Sequence, residues 1–131
     1  MRAFVDTSAL LAVLVANDLH HADATMIWRR ELEQGSDLVT LNYVLVETTA
    51  VLQHRVGMAA VRTLVHDVVP VLRVEWVSAE DHEAATGALL AGGRRGVSLV
   101  DCCCFQVMRR LGLERAFAFD RHYTNAGFEV F

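Results

Sequence analysis

The sequence predicts an α/β fold with a central, mostly parallel sheet covered by helices on both faces. Three observations predict it. Short apolar runs alternate with longer helical stretches along the chain, the order that builds parallel strands joined by crossover helices. Glycines and one proline close the helical stretches. Two of the apolar runs end directly on an aspartate, at Asp6 and Asp120. Ligands of such sheets bind outside the carboxyl ends of the strands.

Arg2–Val5 is an apolar run and reads as a buried strand. Thr7–Asn17 follows as an apolar helix. His21–Gln34 is a second helix with a charged face that includes Arg29, Arg30, Glu31 and Glu33, and Gly35 ends it as a cap. Leu38–Thr40 is a short second strand. Asn42–Val56 is a third helix ended by Gly57, and Met58–Val69 a fourth stopped by Pro70. Val71–Val77 alternates, with Leu72, Val74 and Trp76 on one face and Arg73 and Glu75 on the other, which predicts a strand near a sheet edge. Ala79–Ala91 is a fifth helix closed by Gly92 and Gly93, and Ser98–Leu111 a sixth closed by Gly112. Arg115–Phe119 and Phe128–Phe131 are the last strands. No repeat, linker or low-complexity stretch interrupts this order. The 131 residues suffice for one compact domain over residues 1–131 and are too few for two of usual size.

Composition narrows the function. Hydrophobic residues make up 53% of the chain, enough for a core, and no apolar run reaches the length of a membrane span. The apolar start resembles a secretory signal, but Asp6 interrupts it, so it reads as the first strand and helix. The net charge is −4, which argues against tight nucleic-acid binding by the bare chain. A bound divalent ion would soften that objection by adding positive charge. All twelve basic residues are arginine. Cys102, Cys103 and Cys104 are consecutive and point about 100° apart on a helix, so they cannot converge on one metal. They read as buried thiols of a protein in the reducing cytoplasm.

Most of the sixteen acidic residues sit in polar company. Asp18, Asp23, Glu31, Glu33, Glu80, Asp81, Glu83 and Glu114 read as solvated faces or helix ends, and Asp37 and Asp67 as surface. Four acids differ: Asp6 in FVDTSALL, Glu47 in YVLVETTAVL, Asp101 in SLVDCCCF and Asp120 in FAFDRHY. Each carries a charge into an apolar setting, where something must compensate it. Glu47 borders the stripe of Val44, Thr48, Val51 and Leu52, and Asp101 lies beside Phe105 and Met108, away from Gln106, Arg109 and Arg110. Each acid also has a purely structural reading. Asp6 and Asp120 could cap turns, Asp101 could close a capping box with Ser98, and Glu47 could pair with a buried arginine. Capping does not exclude metal binding. Carboxylates gathered without thiolate or imidazole suit a hard cation, Mg²⁺ or Mn²⁺, whose usual task is phosphate chemistry.

These segments resemble the PIN-domain family, and within it the VapC-type toxins of bacterial toxin–antitoxin pairs. FVDTSALL is similar to the family's first motif, Glu47 to its second, SLVDCCCFQVMRRLG to its third and AFAFDRHYTNAGFEVF to its closing motif. Together they span nearly the whole chain in the family's order. The resemblance implies a three-layer α/β/α sandwich and an acidic cluster of Asp6, Glu47, Asp101 and Asp120. Thr7 and Ser8 would assist near the metal, and Ser98 would support Asp101. The implied reaction is endonucleolytic RNA cleavage by metal-activated water, leaving 5′-phosphate and 3′-hydroxyl ends. The implied partners are RNA, a VapB-type antitoxin and a second copy of the chain. Arg94, Arg95 and Arg121, with Arg109 and Arg110, are candidates for the RNA backbone.

His20, His21 and His122 invite a general-base reading, set aside in favour of metal. Trp28 and Trp76 read as core or interface residues. A phosphorelay receiver or a haloacid-dehalogenase-like phosphatase would need a lysine, which the chain lacks, and a P-loop enzyme would need its glycine-rich motif. Two alternatives remain open: a PIN-type nuclease of RNA processing or decay without an antitoxin, and a PIN-like module that binds RNA or protein without cutting.

Overall fold

The computed structural model describes residues 1–92 and 96–131. Its elements run β1 (Arg2–Val5), α1 (Thr7–Leu14), α2 (His21–Glu33), β2 (Asp37–Leu41), α3 (Asn42–Arg55), α4 (Met58–Thr63), β3 (Arg73–Glu75), α5 (Ala79–Gly92), α6 (Leu99–Leu111), β4 (Arg115–Phe117), α7 (His122–Asn125) and β5 (Glu129–Val130). The strands form one five-stranded parallel sheet in the order β3-β2-β1-β4-β5. Ala3, Phe4 and Val5 of β1 are all buried although they point alternately to opposite faces, so helices cover the sheet on both sides. The α/β/α expectation holds.

The strand order fixes where a ligand can sit. From β1 the chain winds outward through β2 to β3, then returns to lay β4 and β5 on the other side of β1. The crevice at this reversal opens between the carboxyl ends of β1 and β4. Asp6 follows β1 directly, and its backbone N–H bonds to the Phe117 carbonyl at 3.1 Å. Asp120 stands three residues beyond β4.

Several boundaries move. The first helix ends at Leu14, short of Asn17, and the sixth starts one residue later because Ser98 is its cap. Gly35 and Gly112 adopt the left-handed conformation expected after a helix (φ 71° and 70°). The fourth helix is not uniform. After Thr63 it widens into a π-helical turn over Leu64–Val68 and tightens into a 3-10 turn over Val69–Val71, where Pro70 lacks the N–H an α-helix would need. The predicted 71–77 strand shortens to β3, at the sheet edge as expected. Trp76 lies beyond it and is 73% exposed, so the alternation did not turn this ring inward. The short helix α7 was not predicted. Trp28 packs partly buried against the core.

Two acids read as solvated are in fact buried. Glu31 is 1% exposed, with its carboxylate 3.6 Å from both Arg30 and Arg115 and accepting a hydrogen bond from Ser36 Oγ at 3.2 Å. Asp81 is 4% exposed and accepts two hydrogen bonds from Arg110, at 2.8 and 3.2 Å. In both cases a long-range arginine, invisible to local periodicity, supplies the charge that makes burial tolerable. Asp37 stays near the surface, paired with Arg73 at 3.1 Å. The three cysteines are free thiols; Cys103 and Cys104 are buried as expected, while Cys102 is only half-buried, and burial pushes Cys103 up to about 11 and Cys104 well above its ordinary value.

Candidate metal centre

One cleft of about 310 Å³ is lined by Asp6, Thr7, Ser8, Leu11, Glu47, Val51, Asp101 and Asp120. The structure thus brings all four singled-out acids to one place, from the ends of two strands and from helices α3 and α6.

Asp6 is 4% exposed and is held from three sides. Its Oδ2 accepts from the Ser8 backbone N–H at 3.2 Å and from Ser8 Oγ at 2.7 Å, and its Oδ1 accepts from the Tyr123 hydroxyl at 2.8 Å. Ser8 Oγ in turn accepts from the Phe119 N–H at 2.9 Å, which ties the start of α1 to the segment carrying Asp120. Asp6 is therefore a helix cap and a cleft residue together. Asp101 closes the predicted capping box: its Oδ2 accepts from the Ser98 N–H at 3.0 Å while Ser98 Oγ accepts from the Asp101 N–H at 3.1 Å. Asp120 Oδ1 accepts from the His122 N–H at 2.9 Å. Glu47 is half-buried on α3, beside Val44, Thr48 and Leu52, which face the core.

Among the described residues, no arginine pairs with any of these four acids. The electrostatic consequence falls on Asp101. Burial raises its pKa above the ordinary 3.8, and the neighbouring charges of Asp6 and Asp120 add to the rise against the lowering by Ser98. Thr7 Oγ1, on the cleft wall, is buried with no hydrogen-bond partner. Gathered, oriented carboxylates with no arginine against them among the described residues, beside an orphaned hydroxyl, fit a hard divalent cation.

Two residues that sequence reasoning did not use belong to this site. Tyr123 is fully buried and orients Asp6, and its signal was only its place in the closing segment. His122, set aside with the other histidines, has its Nδ1 2.8 Å from Asp120 Oδ1 and 3.9 Å from Asp101 Oδ2. The donor atoms of Asp101, Asp120 and His122 all lie within 4.8 Å of one another, whereas Asp6 and Glu47 line the cleft without joining that set. The other two histidines are structural: His21 Nδ1 meets the Ala12 carbonyl at 2.8 Å, and His20 stacks on Phe119 with centroids 4.4 Å apart. Of the arginine candidates, Arg110 is committed to Asp81 and Glu75, and Arg109 lies over Phe105 and Phe128 and donates to the Ala126 carbonyl. Arg121 is exposed beside Asp120, and Arg94 and Arg95 lie outside the described residues.

A parallel sheet with a carboxylate cleft at its strand reversal defines an α/β protein with a candidate metal site. The PIN-domain model matches residues 3–129, and the chain belongs to the PIN-domain family. It is 38% identical over 126 residues to the 23S rRNA-specific endonuclease VapC20 of Mycobacterium tuberculosis, covering 95% of this chain and 94% of that protein. The crystal structure of M. tuberculosis VapC20, described as a sarcin–ricin loop cleaving toxin, superposes with a TM-score of 0.86 at 37% identity, covering 96% of this chain and 95% of that one. FitAcB from Neisseria gonorrhoeae shares the fold at 15% identity, with a TM-score of 0.70 over 100% of this chain and 96% of that one. PAE2754 from Pyrobaculum aerophilum shares it at 19% identity and 0.68, over 99% and 89%. Among the described residues, no helix is long and apolar enough to cross a membrane.

Proposed function

We propose that this protein is a divalent-metal-dependent endoribonuclease of the VapC toxin type, acting on the sarcin–ricin loop of 23S rRNA. The observation that carries the catalytic part is the convergence of Asp6, Glu47, Asp101 and Asp120 on one cleft without an arginine among the described residues. The 23S rRNA assignment rests on 38% identity across 95% of the chain to an endonuclease of that specificity, and the sarcin–ricin loop on the description of that protein's crystal structure.

Asp101 and Asp120, with Asp6 and Glu47 around them, would hold Mg²⁺ or Mn²⁺. Such an ion, when bound, polarises a phosphoryl oxygen and lowers the pKa of water enough to provide hydroxide near neutral pH. The chain's own residues do the positioning. Ser8 and Tyr123 lock the Asp6 carboxylate in one orientation, Ser98 does the same for Asp101, and the His122 N–H does so for Asp120. Thr7 offers its free hydroxyl from the cleft wall. Arg121, exposed next to Asp120, would meet the RNA backbone. With a net charge of −4, one subunit holds RNA weakly.

The rest of the reading follows the family. The chain acts as one catalytic domain in the cytoplasm, is inhibited by a VapB-type antitoxin, and forms a homodimer. The groove lined by Leu45, Val46, Thr49, Ala50 and the exposed Trp76 supports the dimer by offering apolar surface outside the core.

Purified 70S ribosomes incubated with the protein and Mg²⁺ or Mn²⁺ test the proposal, with EDTA and Asp6→Asn as controls. Asn keeps the capping acceptor and removes the charge. Primer extension should map one cut in the sarcin–ricin loop with a ligatable 5′-phosphate, abolished by EDTA and by the substitution. Cutting that survives EDTA would overturn the metal mechanism, and intact 23S rRNA alongside cleavage of other RNA would overturn the substrate.

A further inference from the structure

His122 stands between two of the cleft acids in a way that a hydrogen bond does not explain. Its Nδ1 is buried and lies 2.8 Å from Asp120 Oδ1, yet it makes no aligned N–H···O bond to that atom or any other. Asp120 Oδ1 takes its proton donor from elsewhere, the His122 backbone N–H at 2.9 Å. A ring nitrogen and a carboxylate oxygen held this close but out of hydrogen-bond alignment turn their lone pairs on one another whenever Nδ1 carries no proton. A cation shared by both relieves that repulsion.

The spacing agrees. Two ligands about 2.1 Å from one ion stand about 3 Å apart when adjacent and about 4.2 Å apart when opposite. Nδ1 is 3.9 Å from Asp101 Oδ2, within that span, and 2.8 Å from Asp120 Oδ1, just under its adjacent-ligand end. A second observation points to the same cleft: Thr7 is only 7% exposed, lines it, and leaves its hydroxyl oxygen unpartnered.

We propose that His122 Nδ1 is a ligand of the divalent ion together with Asp101 and Asp120, so that the centre is a mixed nitrogen–oxygen site and not an all-carboxylate one. A nitrogen donor favours a first-row transition ion over Mg²⁺, which prefers oxygen ligands. The site therefore selects Mn²⁺ over Mg²⁺ by affinity. This rests on the metal-dependent reading above and sharpens its ligand set.

Pulsed EPR of Mn²⁺ bound to the EDTA-stripped protein tests it without any RNA. The wild-type spectrum should show coupling to one directly bound ¹⁴N. In His122→Gln that coupling should vanish and the Mn²⁺ Kd should rise about tenfold, the lower end of what loss of a metal-site partner produces. Bound Mn²⁺ with no nitrogen coupling, or coupling that survives His122→Gln, overturns the inference while leaving the metal-dependent nuclease intact. No Mn²⁺ binding by the wild type overturns both. The wild-type spectrum decides the matter even if the variant misfolds, which circular dichroism would reveal.

Discussion

Glu31 and Asp81 on one side, Asp6 and Asp101 on the other, are acids drawn into the same protein interior by opposite means. Glu31 and Asp81 are 1% and 4% exposed, and each meets arginines: Arg30 and Arg115 for the first, Arg110 for the second. Asp6 is equally buried at 4%, but its partners are two hydroxyls and a backbone N–H. Asp101 has a capping box and two negative neighbours, and its pKa rises as a result. Structural acids bring their own counter-charge. The cleft acids are oriented but meet no arginine among the described residues, a crowding of charge that a cation from solution would relieve. Burial alone does not separate the two classes; the identity of the hydrogen-bond donor does.

Substitution should pull the two regions apart. In the cleft, Asp101→Asn should lower RNA cleavage by at least about 10²-fold, a loss typical of removing one electrostatic element of an active site, while the metal-free protein melts no lower than the wild type. In the structural pair, Glu31→Ala leaves the largely buried Arg115 with its strongest partner gone and should destabilise the fold by about 3 kcal/mol in urea unfolding. Asp81→Ala should cost about 1–2 kcal/mol, because Arg110 can turn toward Glu75 and water. If Asp101→Asn destabilised the metal-free protein as much as Glu31→Ala, the two regions would not differ in kind.

A smaller effect concerns pH. The folded-state pKa of Asp101 lies above its ordinary 3.8, so between these values the native state holds a proton that the unfolded chain has released. Its contribution to metal-free stability therefore falls as pH rises through that window and recovers as pH falls. Asp101→Asn lacks this dependence, so its stability relative to wild type should be greater at pH 7 than at pH 4 by urea unfolding. An advantage that grew toward pH 4 would mean that the Asp101 carboxylate is stabilised by the fold.

The residues explain what sequence could and could not show. β1 and α6 were legible because continuous apolar runs and the Ser98–Asp101 cap signal are local, and Asp6 and Asp120 because strand ends in this topology define the ligand side. Glu31 and Asp81 were misread because their partners Arg115 and Arg110 lie far along the chain, at distances that helical periodicity does not encode. Trp76 shares a face with Leu72 and Val74 by an alternation that β3 does not sustain past Glu75, and its exposure leaves only the interface side of the core-or-interface reading. His122 was passed over because its proximity to Asp101 depends on α7, a one-turn helix with no periodic signature.

The carboxylate cleft is central only if it supplies a cation site. Melting of the EDTA-stripped wild type and of Asp101→Asn, each with and without Mn²⁺ at about a hundred times its Kd, measures this. Binding to the native state alone contributes about 2.7 kcal/mol at that concentration, so the wild-type Tm should rise by about 5–10 °C and the Asp101→Asn Tm should barely move. Equal shifts in both proteins, or none in the wild type, would contradict the reading of these carboxylates as metal ligands.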